Sequence, residues 1–91
     1  MNNTPHPGEI LNELYLKENK LSISKTATHI GVSRQSLSEL VNGKNGITAP
    51  TALKLAKAFN TSPKYWMNLQ VAYDLSKAEQ TVDTDKIETL V

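Results

Sequence analysis

The sequence predicts an all-α domain of five short helices. Apolar residues recur at helical spacing in five separate windows, start signals precede those windows, and Gly31, Gly43 and Gly46 fall between them. Strand-type alternation is confined to a weak run at Thr81–Ile87. The first helix starts at Pro7 or Gly8, because proline suits a first helical position and Glu9 suits the positive end of the helix dipole. Ile10, Leu11, Leu14 and Tyr15 make its apolar stripe, and Glu18-Asn19-Lys20 closes it. A second helix runs from Ser22 or Ser24 to Ile30, with Ile23, Ala27 and Ile30 inward. Ser33 caps a third, which ends at Asn42-Gly43. Thr48 and Pro50 open a fourth, with Ala52, Leu53, Leu55, Ala56 and Phe59 inward. Ser62-Pro63 opens a fifth, whose apolar face is Tyr65, Trp66, Leu69, Ala72 and Tyr73. This divides the chain into a domain of residues 1–76 and an acidic tail, 77–91, that is a short strand or disordered.

A chain of 91 residues is enough for one small core. There is no cysteine, hence no disulfide framework or thiolate metal site. His6 and His29 show no ligand spacing, so neither a metal nor any other cofactor is expected. No apolar run reaches membrane-spanning length and no signal segment opens the chain, which makes a cytoplasmic protein the default expectation. The net charge of +1 hides an asymmetry. Between Ser22 and Lys64, Lys25, Arg34, Lys44, Lys54, Lys57 and Lys64 face Glu39 alone, a net +5. From Tyr73 onward Asp74, Glu79, Asp83, Asp85 and Glu88 outweigh Lys77 and Lys86, a net −3. A basic centre beside an acidic appendage suits a polyanion ligand.

The segment from Ile30 to Lys44 reads as a helix end, a tight turn and a second short helix. Gly31 can take the left-handed conformation that ends a helix without steric cost. In the helix that follows, Leu37, Leu40 and Val41 share one face, while Arg34, Gln35, Ser38 and Glu39 occupy the other. Such side chains can reach base edges: arginine bonds guanine O6 and N7, glutamine bonds adenine N6 and N7, and a carboxylate accepts from the cytosine amino group. Nucleic-acid binding is therefore the leading reading, with Arg34, Gln35, Ser38 and Glu39 as base readers. Ser22, Ser24, Lys25, Ser33, Ser36, Asn42 and Lys44 are the candidates for phosphate contact, since helix starts offer free amides and a positive dipole end. Lys54 and Lys57 read as solvent-facing. No nucleophile has a neighbouring base, and no glycine-rich phosphate loop or acid pair is present, so no enzyme is expected.

These residues resemble a known family. Leu21–Val32, with small Ala27 and Gly31 in place, resembles the second helix and turn of the helix-turn-helix in phage repressor and Cro-type domains. Asn42-Gly43-Lys44 is similar to the loop after the recognition helix. Two flanking signatures, His6-Pro7-Gly8-Glu9-Ile10-Leu11 and the run from Tyr65 to Leu75, resemble those of the HigA antitoxins, or VapI-type regulators, so that the likeness covers residues 5–76. Thr26, where a larger apolar residue is usual, and Ile23, where a polar phosphate contact is common, depart from the pattern. The resemblance implies a five-helix, lambda-repressor-like DNA-binding domain. It also implies repression of the chain's own toxin–antitoxin operon and neutralisation of a HigB-type, mRNA-cleaving toxin. A solitary regulator of the same fold, and an adaptor that has lost DNA contact, are the rival readings. Since one small module buries little surface on DNA, a homodimer on an inverted-repeat operator is expected, with Tyr73 and Leu75 of helix five at its interface.

Overall fold

The computed structural model describes residues 4–91; the first three positions of the expected 1–76 domain lie outside the described residues. Five helices follow one another: α1 (Pro7–Ile10, continued without a break by a π-helical turn, Leu11–Leu16), α2 (Ile23–Ile30), α3 (Arg34–Val41), α4 (Ala49–Phe59) and α5 (Pro63–Thr81). α1 packs on α3 and α5, α2 on α3 and α4, and α4 on α5.

The starts are set by the residues the sequence singles out. Ser22, Ser33, Thr48 and Ser62 each accept with a side-chain oxygen from a backbone N–H three residues on. α1 is different: His6 Nδ1 accepts from Gly8 N–H at 2.9 Å. At the other end of α2, Gly31 stands at φ +76°, and the N–H groups of Gly31 and Val32 both donate to the Ala27 carbonyl.

Trp66 is fully buried at the centre of the core, with Leu11, Leu16, Leu37 and Leu55. Its indole N–H donates to Thr61 Oγ1 at 2.7 Å, and the rings of Tyr15 and Tyr65 lie 5.2 and 5.1 Å away. The Tyr15 and Tyr65 hydroxyls are 3.3 Å apart and tie α1 to α5. That shared hydrogen bond, with partial burial and the nearby Tyr15 charge, pushes the Tyr65 phenol up to about 12. The aromatic surface of α5 is thus largely spent inside its own subunit.

Four expectations change. Leu14 is 55% exposed, because in the π-helical turn, where Lys17 N–H donates to the Asn12 carbonyl, Leu11 and Leu16 come to share the inner face. Leu53 is 60% exposed and Ala72 is exposed, each beyond the edge of its helix's buried stripe. α5 continues five residues past Ser76, through the good helix formers Lys77, Ala78, Glu79 and Gln80. Beyond Thr81 no strand occurs among the described residues; a turn closes with Ile87 N–H on the Thr84 carbonyl.

One close approach seats α3 on α1. A Cβ at Gly8 would overlap the Leu40 carbonyl, which belongs to backbone and has no flexible end to move aside. Gly8→Ala is therefore expected to lower stability by about 2 kcal/mol. Urea denaturation checks this; a loss below about 0.5 kcal/mol would mean that the two backbones can part freely.

Candidate nucleic-acid interface

α2, the Gly31 turn and α3 form the surface where the candidate residues gather. Leu37 and Leu40 are 2% and 3% exposed, and they hold α3 against the core. Opposite them Arg34, Gln35 and Ser36 stand exposed, while Ser38 and Glu39 are half-buried. The four expected base readers therefore split into an outer pair on the first turn and an inner pair one turn later.

Their hydrogen bonds sharpen that split. Arg34 Nε donates to Ser24 Oγ at 2.6 Å, a link from α3 back to the first turn of α2. Gln35 Nε2 donates to one Glu39 carboxylate oxygen at 3.3 Å, and Asn45 Nδ2 donates to the other at 3.4 Å. Glu39 thus spends both oxygens within the chain. Ser38 is covered by Asn42, whose Nδ2 donates to the Ser38 carbonyl at 2.9 Å and lies 3.4 Å from its hydroxyl.

Among the phosphate candidates, Ser22 and Ser33 are helix caps, and Ser36 supplies the N–H that Ser33 receives. The first-turn amides of α2 and α3 without intrahelical partners still point outward at the positive dipole ends. Lys25 and Lys44 are exposed beside them, and Lys44 N–H donates to the Glu39 carbonyl at 2.8 Å. Among the described residues the ion pair joins Lys17 to Glu13 on α1, so no carboxylate neutralises Lys25, Arg34 or Lys44. The basic charge seen in the sequence is thus available to an outside anion.

Lys54 is not merely solvent-facing: its ammonium donates to the Gly31 carbonyl at 3.1 Å and ties α4 to the turn. His6, unassigned beyond its resemblance to a family opening, caps α1 and lies edge-on to Tyr73, 4.8 Å between ring centroids. Tyr73, an expected interface residue, is therefore half-buried against its own subunit, whereas Leu75 is 58% exposed. Gln70 is a further residue the sequence did not mark: its Oε1 accepts from Ile47 N–H at 2.6 Å and fixes the loop between α3 and α4. Among the described residues no group of histidines and acids could hold a metal, and no helix is long and apolar enough to cross a membrane.

A family of known proteins shares this arrangement. The helix-turn-helix family matches residues 13–66, more than half of the chain. Virulence-associated protein I of Dichelobacter nodosus is 48% identical over 75 residues, covering 82% of this chain and 69% of that protein. The antitoxin GraA, solved in complex with its operator, superposes with a TM-score of 0.91 at 34% identity, covering 99% of this chain and 94% of that one. The Pseudomonas aeruginosa antitoxin HigA, solved with the higBA promoter, gives a TM-score of 0.88 at 33% identity over 98% and 100% of the two chains. This chain belongs to the HigA/VapI family of helix-turn-helix proteins. That family consists of DNA-binding antitoxins and regulators rather than enzymes. The matched residues 13–66 include α2, the Gly31 turn and α3, the surface described above.

Proposed function

We propose that this chain is a DNA-binding antitoxin that acts as a homodimer on an inverted-repeat operator, represses its own operon and neutralises a HigB-type, mRNA-cleaving toxin. The observation that carries the DNA half is the outer face of α3. Arg34 and Gln35 stand exposed on a helix whose other face is anchored by Leu37 and Leu40, with Lys25 and Lys44 unneutralised beside them. Ser22, Ser33, Ser36 and Asn42 border the same surface. The relatives solved with promoter or operator DNA match this chain almost end to end, which supports the same use here.

The homodimer rests on α5. Val71, Leu75 and Val82 are 50%, 58% and 60% exposed, and with Ala78 they follow one another at i, i+4, i+7 and i+11. That is a single aliphatic stripe along one side of the helix. Leaving it in water is unfavourable at about 25 cal/mol per Å² of apolar surface, and a second copy presents the same stripe in return. In this reading Leu75 belongs to the proposed interface, with exposed Val71 rather than half-buried Tyr73 beside it.

One titration tests DNA binding and dimerisation together. On a duplex carrying the promoter of the chain's own gene, log affinity should fall by about 4 to 7 per log unit of salt, for roughly four to eight phosphates contacted per dimer. Leu75→Glu should sediment as a monomer, lose most promoter affinity and show about half the salt slope. A wild-type slope near zero refutes the DNA reading; a variant that stays dimeric refutes the interface.

The toxin half is supported by the antitoxin names of the relatives and is tested in cells. Co-expression with a small ribonuclease-type protein encoded beside this gene should restore growth that the ribonuclease alone arrests, and the two should co-purify. The absence of such a neighbouring gene favours the solitary regulator.

A further inference from the structure

We propose that Ser24 is a positioning residue for Arg34: its hydroxyl holds the guanidinium so that only the outer Nη edge faces the DNA, and that edge reads a guanine. The inference rests on the DNA-binding reading above and goes beyond it in assigning how one base is selected.

The local geometry singles Ser24 out. Two serines stand at the start of α2, and Ser22 alone does the capping, through the Lys25 N–H at 3.0 Å. The Ser24 hydroxyl is therefore free of the helix start, and at 2.6 Å it takes the Arg34 Nε–H from ten residues further along the chain. No carboxylate competes for Arg34 among the described residues. A guanidinium offers its donors along two usable edges, Nε with one Nη, or the two Nη together. With Nε engaged, only the second remains, and it matches the O6 and N7 acceptors of guanine in the major groove.

An arginine on an exposed helix turn has many rotamers, and binding would otherwise have to freeze one of them. The Ser24 bond selects the rotamer before DNA arrives. Gln35 is held separately, by Glu39, so the two readers of the first turn do not depend on the same anchor. Ser24 was one of the phosphate candidates, and the two roles make opposite predictions. A phosphate contact strengthens binding to every duplex alike, whereas a positioning residue adds only discrimination.

The experiment starts from the duplex that the wild-type protein selects out of a randomised pool. Affinities are then measured for wild type, Ser24→Ala, Ser24→Thr, Arg34→Ala and the Ser24→Ala/Arg34→Ala double variant. Each is measured on that duplex, on a copy with the Arg34-dependent guanine replaced by adenine, and across salt. Because Ser22 still caps α2, Ser24→Ala should melt like wild type. On the selected duplex it should lose about tenfold in affinity, with its salt slope and its affinity for the replaced duplex unchanged. Ser24→Thr should restore binding, and in the Arg34→Ala background the loss of Ser24 should cost nothing more. An equal loss on both duplexes makes Ser24 a phosphate contact and overturns the proposal, as does a full further loss in the Arg34→Ala background. A wild-type protein that selects no sequence at all refutes the DNA-binding reading underneath, and the proposal with it.

Discussion

The candidate interface depends on the burial of two leucines. α3 is eight residues long, and an isolated helix of that length is not stable in water. Its shape is borrowed from Leu37 and Leu40, each nearly sealed in the core and each contributing roughly 1.5–3 kcal/mol. Around them the fold brings backbone to backbone: Gly8 lets α1 close on the Leu40 carbonyl, and Gly31 turns the chain so that α3 leaves α2 at once. Arg34 and Gln35 are fixed in space because the opposite side of their helix is packed.

Around that anchored helix, polar groups divide into those that hold and those that are held. Lys54 grips the Gly31 carbonyl, Gln70 grips the loop at Ile47, and Asn42 covers Ser38. Glu39 keeps its negative charge, but its two oxygens receive Gln35 and Asn45 and are less available to a base edge. Most remaining acids lie elsewhere, on α1, along α5 and beyond it, where they oppose the basic face less directly. The net charge of the chain is thus a poor guide to its surface, and the distribution is a good one.

Much of this was legible because the signals were local. Ser22, Ser33, Thr48 and Ser62 announce helix starts through hydrogen bonds that span three residues, and Gly31 announces a left-handed stop. Side-chain direction was less legible. Leu14 and Leu53 fit an ideal helical period, and only the π-helical turn of α1 and the width of the α4 contact decide that they face out. α5 was read too short, although no glycine or proline follows Pro63 to end it. Trp66 is buried only once α1 and α4 pack on α5. Within the interface the candidates were legible by type but not by partner. The Ser24–Arg34 bond joins residues ten apart across a turn, a distance that no periodicity reports. His6 caps α1 locally, but its ring contact with Tyr73, far along the chain, is likewise reported by no periodicity.

Methylation interference on the selected duplex tests the central claim that the outer face of α3 enters the major groove in two copies. Methyl groups on guanine N7 stand in the major groove, and those on adenine N3 stand in the minor groove. N7 methylation is expected to abolish binding at two symmetry-related guanines, about 10 to 10.5 base pairs apart or a multiple of that, while N3 methylation between them leaves it intact. Interference confined to adenine N3, or to a single unpaired guanine, would contradict that claim.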